Sequence, residues 1–178
     1  MTQFDLSTEG YTIDPIYMET YTGHRFDPTL ATVADIFIED IAHALALQNR
    51  YNGHTAGPLS VARHSLWVAH EVELACGHDR LLTLTGLLHD AAEAYLGDII
   101  RPLKHRPWAK GYLEMEARME AVISEKFRLP FPFPEEIKAA DVTVTATRER
   151  EERSRYSGCW QLDEEHFLAR FDSLKGWT

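Results

Sequence analysis

His89 and Asp90 stand side by side in the most apolar helical stretch of the chain, Leu-Thr-Gly-Leu-Leu-His-Asp-Ala-Ala-Glu-Ala-Tyr. An ionised carboxylate placed there is costly unless it is paired or coordinated. Neutral imidazole and carboxylate together suit Zn, Mn, Co, Ni or Fe, and such a site needs no cysteine. Successive helix positions differ by about 100° in direction, so both side chains can reach one ion lying against the helix. A second His-Asp pair, His78-Asp79, follows Gly77 in a turn-like setting and reads as surface. Glu93 lies three positions after Asp90, and Asp98 follows Gly97 directly. Carboxylates so placed can orient a water beside a metal or take its proton; equally, they can be a solvated helix face and a turn acid.

Two further candidate ligands sit on other predicted helices. His64 lies in Ser-Val-Ala-Arg-His-Ser-Leu-Trp-Val-Ala-His, where a packed histidine is the plain alternative to a ligand. His70, six positions on, falls off that face. Asp141, in Ile-Lys-Ala-Ala-Asp-Val-Thr-Val, is either an exposed helix acid or a ligand. Phosphate-binding candidates come from the run Asn-Arg-Tyr-Asn-Gly-His-Thr at a helix exit, namely Arg50, Tyr51 and His54, and from Lys104 in the connector. A guanidinium can hold phosphate oxygens bidentately, and a tyrosine ring can pack on a sugar or base.

The elements that must position these groups are almost all helical. β-favouring residues around Thr22-Gly23 (Ile16, Tyr17, Tyr21 and Phe26) suggest a short hairpin or extended arm over 13–27. Apolar residues at 34, 38, 41, 42, 45 and 46 predict a helix over 34–49, and the Gly- and Pro-containing stretch 50–58 a loop. Ser60 is a suitable N-cap for a helix ending at Gly77. Further helices are expected over 80–96, 108–127, 135–153 and 162–174, with a turn-rich connector at 98–107 and an extended Pro-rich segment at 129–134. The expected architecture is an all-α bundle of about six helices with a short N-terminal arm, in one domain covering 1–178.

Composition narrows the function class. Of the 178 residues 44% are apolar and 26% charged, ordinary values for a globular protein. No signal-peptide pattern opens the chain and no apolar run is long enough to span a membrane, so no membrane partner is expected. Cys76 and Cys159 form no disulfide framework and read as reduced thiols in the cytoplasm. The net charge of −10 argues against a nucleic-acid polymer as partner. A small anion remains admissible, since an ion and a few local cations can recruit one phosphate.

The order His64, then His89-Asp90, then Asp141, each on its own helix, resembles the HD-domain metal-dependent phosphohydrolases over residues 38–141. His-Asp-Ala-Ala-Glu-Ala-Tyr-Leu-Gly-Asp-Ile-Ile-Arg-Pro-Leu-Lys is especially similar to the small bacterial 5′-deoxynucleotidases, which carry acids at the positions of Glu93 and Asp98. Asn49-Arg50-Tyr51 resembles their Asn-Arg-aromatic segment, with Tyr here in place of Trp. Tyr-Thr-Gly-His-Arg-Phe-Asp-Pro and Tyr-Asn-Gly-His-Thr look like a compact subgroup that includes phage dATP triphosphohydrolases.

This resemblance implies a cytoplasmic enzyme of bacteria or phage-infected cells that cleaves nucleotides at the 5′ phosphate ester. It implies one divalent transition metal on His64, His89, Asp90 and Asp141, with a second ion, Mg or Mn, if the substrate is a triphosphate. It assigns water activation to Glu93 and Asp98, and substrate contacts to Arg50, Tyr51, His54 and Lys104. Homo-oligomers are frequent in the group, and the Met-containing helix at 108–127 is a candidate interface. The alternative is a non-catalytic HD-fold module that binds a nucleotide or partner; loss of a ligand or of the following acids would mark it, and neither is missing. A di-metal oxygenase on a similar scaffold would need additional histidine ligands, which His43 and His70 are not placed to supply.

Overall fold

The computed structural model describes residues 17–176. Part of the expected N-terminal arm, residues 13–16, therefore lies outside the described residues. The all-α expectation holds: the only sheet among the described residues pairs β1 (Met18–Glu19) with β2 (Arg25–Phe26), antiparallel, Met18 opposite Phe26. Gly23, at φ 84°, makes the turn and donates its N–H to the Thr20 carbonyl at 2.9 Å. The hairpin is fastened to the first helix by Thr22, whose N–H and hydroxyl both donate to the buried Asp40, at 2.7 and 2.9 Å.

The single helix expected over 34–49 is two pieces. A 3₁₀ turn at Val33–Asp35 is closed by a capping box with Thr32: Asp35 accepts from the Thr32 N–H while the Thr32 hydroxyl accepts from Ala34. The backbone then extends at Ile36 and Phe37, burying Ile36, before α1 (Ile38–Leu47) begins. Ser60 caps α2 (Val61–Ala75) as its sequence suggests, accepting from the Arg63 N–H at 3.0 Å. Asp79 caps α3 (Arg80–Leu88), so the second His-Asp pair contributes a cap, with His78 exposed beside it.

The stretch expected to be one helix over 80–96 changes character at the His-Asp pair. After Leu88 the backbone stays near helical angles but bonds to the third residue back (Ala91 to Leu88, Glu93 to Asp90) before α4 (Glu93–Leu96) forms. The connector holds a short helix, α5 (Arg101–Lys104), ahead of α6 (Lys110–Phe127). The helix expected over 135–153 is present but interrupted: α7 (Glu135–Val144) passes through a π turn at Thr145–Glu149 into α8 (Arg150–Glu152). The last helix, α9, spans Trp160–Lys175.

α2 is the hub, packed against α1, α3, α7 and α9. Its approach to α3 is close because Gly86 faces it; a Cβ there would lie 3.0 Å from Val72 Cγ2 and 3.4 Å from the Ala69 Cα. Apolar side chains fill both sides of α2. One cluster includes Ile41, Leu45, Leu87, Met119 and Phe167, and the other Leu59, Val68, Val72, Ile137 and Val144. A buried polar tie joins α9 to α2: Asp163 accepts from Ser60 Oγ at 2.5 Å and from Arg63 Nε and Nη2 at 2.8 and 2.6 Å. Among the described residues no helix is long and apolar enough to cross a membrane.

Candidate metal centre

Because α2 lies between α3 and α7, His64 in its middle is held between the C-terminal end of α3 and the Asp141 turn of α7. Three of the four side chains singled out as ligands, His64, His89 and Asp141, each offer a ligand atom within 4.8 Å of the other two, and Asp90 lies against the two imidazoles. His64 Nε2 is 3.3 Å from His89 Nε2, 3.2 Å from Asp141 Oδ1 and 3.5 Å from Asp90 Oδ2. His89 Nε2 is 3.2 Å from the same Asp90 oxygen. An ion bound by N and O donors at about 2.1 Å places neighbouring donors about 3.0–3.4 Å apart. The separations of His64 from His89 and Asp141, and of His89 from Asp90, match that spacing, and that of His64 from Asp90 is slightly longer.

The protons on the two imidazoles follow from their outer contacts. His89 Nδ1 lies 2.9 Å from the Gly86 carbonyl, and His64 Nδ1 lies against Glu149 Oε1. A carbonyl and a carboxylate oxygen only accept, so both Nδ1 atoms donate, and in the neutral rings both Nε2 atoms present lone pairs. Two lone pairs facing each other at 3.3 Å repel unless a cation or a proton lies between them. Burial opposes charge on His89, yet the Asp90 and Asp141 carboxylates prevail and raise its pKa. Burial likewise opposes the Asp90 charge, but His89, His64 and Arg50 hold that carboxyl far below the usual range. The cluster is electrostatically arranged for positive charge at its centre.

A cleft of about 530 Å³ opens beside these groups, lined in part by Asp90, Asp141, Arg50, Tyr51, Glu93 and Asp98. Glu93 is only 5% exposed, and its Oε2 has no hydrogen-bond partner. Burial and the neighbouring Asp90 and Asp98 charges push its carboxyl well above the ordinary range. Burial also raises Asp98, whose backbone N–H donates to Gln48 Oε1 at 3.0 Å. Gln48 in turn donates to the Glu93 backbone carbonyl at 2.9 Å, so one side chain ties the backbone at both positions.

The substrate-contact candidates separate in the structure. Arg50 lines the cleft with Nη1 3.6 Å from Asp90 Oδ2 and Nε 2.9 Å from Glu149 Oε1. The second contact is a charge pair, since that N–H is not aimed at an acceptor. Tyr51 also lines the cleft, but its hydroxyl donates to Glu149 Oε2 at 2.5 Å and Arg153 covers its ring at 4.2 Å. Burial, then Glu149, raises the Tyr51 pKa to about 12. Lys104 reaches the cleft with its charge engaged by Glu116 at 2.7 Å and Glu93 at 3.2 Å. His54 is exposed on the loop and is not among the cleft-lining residues. The cleft adds two exposed cations, Arg101 and Lys138, and apolar walls from Ile99, Ile100, Pro102 and Val142.

Glu149 was not anticipated. It is 0% exposed and lies in a charged run, Thr-Arg-Glu-Arg-Glu-Glu-Arg, where nothing distinguishes it. In a regular helix, eight steps from Asp141 overshoot two turns by about 80°. The extra residue accommodated by the π turn brings position 149 back to within about 20° of the Asp141 face. A π turn next to a polar cluster is the one structural cue, and it is not legible from residue types.

No family model matches the chain. It is 44% identical over 122 residues to an uncharacterized protein of Rhodobacter capsulatus, a match covering 67% of this chain and 62% of that protein. It is 34% identical over 126 residues to the uncharacterized protein YfdR of Escherichia coli K12, covering 71% of this chain and 66% of the relative. The chain thus spans just under two thirds of the length of these curated relatives.

Proposed function

We propose that the chain is a divalent-metal-dependent phosphohydrolase of the HD type that cleaves the 5′ phosphate ester of nucleotides. The observation that carries this reading is the convergence of three donors, His64, His89 and Asp141, within 4.8 Å of one another at the wall of a cleft, with Asp90 beside the two imidazoles and both Nδ1 protons fixed outward. His64, His89, Asp90 and Asp141 would hold the ion. When bound, a transition metal polarises a phosphate and lowers the pKa of water from about 16 towards 7.

The chain's own residues supply the remainder. Glu93, with a free buried oxygen and a pKa raised by burial, accepts the proton of the attacking water once its carboxyl is ionised. Asp98 assists in orienting that water, and Gln48 keeps the two acids in register. Arg50 offers the N–H groups left over from its carboxylate contacts to the phosphate oxygens. Lys104 balances the charges of Glu93 and Glu116 at the cleft. The apolar wall from Ile99 to Val142 would pack against sugar and base, and Arg101 and Lys138, exposed at the same cleft, would meet further phosphates.

The test is to incubate metal-reconstituted protein with every deoxy- and ribonucleoside mono- and triphosphate and to separate the products. Nucleoside with orthophosphate defines a 5′-nucleotidase; nucleoside with intact triphosphate defines a triphosphohydrolase, for which dATP is the first substrate to try. Absence of turnover with Mn, Co, Zn and Mg overturns the assignment and leaves a binding module.

A further inference from the structure

We infer that Glu149 is a positioning residue that couples metal occupancy at His64 to the ordering of the Arg50–Gly53 loop; this rests on the metal reading above. One buried carboxylate meets three groups with different duties. Its Oε1 accepts from the Nδ1–H of His64 and lies 2.9 Å from Arg50 Nε, and its Oε2 accepts from the Tyr51 hydroxyl at 2.5 Å. A carboxylate oriented on Nδ1 fixes the tautomer of a ligating histidine and increases its basicity at Nε2.

The loop on the other side of Glu149 needs an anchor. Tyr51 (φ 58°, ψ 27°) and Asn52 (φ 52°, ψ 32°) occupy consecutive left-handed conformations that side-chain-bearing residues rarely adopt. Few other bonds hold it: the Arg50 N–H donates to the Leu59 carbonyl at 2.9 Å and the His54 N–H to the Tyr51 carbonyl at 3.0 Å. Glu149 itself is aimed at this junction by the π turn. With an ion held by His64, the Nδ1–H would be the stronger donor, and Glu149 would hold Tyr51 and Arg50 more firmly. By reciprocity, a loop already ordered raises affinity for the ion.

Co²⁺ or Mn²⁺ affinity is measured by competition with a chelating dye for wild type, Glu149→Gln and Tyr51→Phe, with hydrogen exchange of residues 50–54 followed with and without the ion. Glu149→Gln is expected to lose about 10–100-fold in metal affinity. In wild type the ion slows exchange in the loop, and in Tyr51→Phe, which keeps the His64 and Arg50 contacts but loses the hydroxyl tie, that slowing is markedly smaller. If Glu149→Gln does not fold, the Tyr51→Phe exchange result decides. Wild-type metal affinity in folded Glu149→Gln, or a wild-type loop indifferent to the ion, overturns the inference while the metal reading stands. A wild type that binds no divalent ion removes both.

Discussion

Replacing Asp163 by alanine tests how the bundle holds the helix that carries His64. Asp163 is 1% exposed and accepts from Ser60, from two nitrogens of Arg63 and from the Tyr156 hydroxyl at 3.2 Å. The substitution leaves the Arg63 guanidinium without its counter-ion and the Ser60 hydroxyl without an acceptor. Breaking a buried pair from one side costs about 3–5 kcal/mol. Arg63 retains some solvent access, with its side chain 21% exposed, so the lower end, about 3 kcal/mol, applies. For a chain of this size that lowers Tm by about 6–12 °C. The assay is a thermal melt in chelator, with Ser60→Ala alongside; losing the cap and one hydrogen bond, it should cost about 1–2 kcal/mol. An Arg63→Met, Asp163→Ala double variant should recover part of the loss, because no charge is then stranded. A Tm for Asp163→Ala within about 2 °C of wild type would refute the argument that this tie anchors α9 to α2.

Three other outcomes follow from named contacts. Glu93→Gln should reduce kcat by about 10²–10⁴-fold; as a proton acceptor works only when deprotonated and burial raises this one, the wild-type rate should climb with pH through a value above the ordinary 4.5. A wild-type acid limb at or below 4.5, or one that persists in Glu93→Gln, contradicts the role. Glu120 is raised to about 7 by burial, then Glu116 and Asp90, above its unfolded value of 4.5. The folded chain therefore holds that proton more tightly, a contribution complete below about 4.5 and lost as pH rises through 7. With chelator present, Glu120→Gln should be more stable than wild type at pH 8 by about 1 kcal/mol after allowance for partial exposure. It should differ little at pH 4.5; equal shifts in denaturant midpoint at both pH values would refute it. Gly86→Ala should cost about 1–3 kcal/mol by pressing α3 off Val72 and Ala69. It should weaken metal binding too, because the Gly86 carbonyl orients His89; an unchanged Tm and affinity would show that the helices yield freely.

Much of the helical order was legible because burial leaves a period. The stripe of α2, the cap at Ser60 and the stop at Gly77 are local signals, and they lie where the residue types place them. The breaks were less visible. Helical apolar spacing runs unbroken from Ala34 to Ile38 and through His89–Ala92, where extended backbone at Ile36 and Phe37 and a change of hydrogen-bond register interrupt the helix. Within the site, His89-Asp90 stood out because charge in an apolar run demands a partner. Asp141 and His64 each had a plain alternative, and only the packing of α2 between α3 and α7 brings them within 3.2 Å. Partnerships across long sequence separations were not legible: Lys104 with Glu116, Tyr51 with Glu149, and Arg50 with both Asp90 and Glu149. Residue types register a candidate cation; they do not register that a buried carboxylate already faces it.

The most direct measurement is metal stoichiometry after reconstitution and exhaustive dialysis, by elemental analysis of wild type and Asp141→Ala. Asp141 is the ligand candidate with the most exposed side chain, at 37%, so its loss should leave the fold intact, as a circular dichroism melt will verify. One tightly held transition-metal ion per wild-type chain is expected, and little or none in the folded variant. A wild type that retains no ion, or an Asp141→Ala chain that retains it undiminished, would contradict the proposed centre.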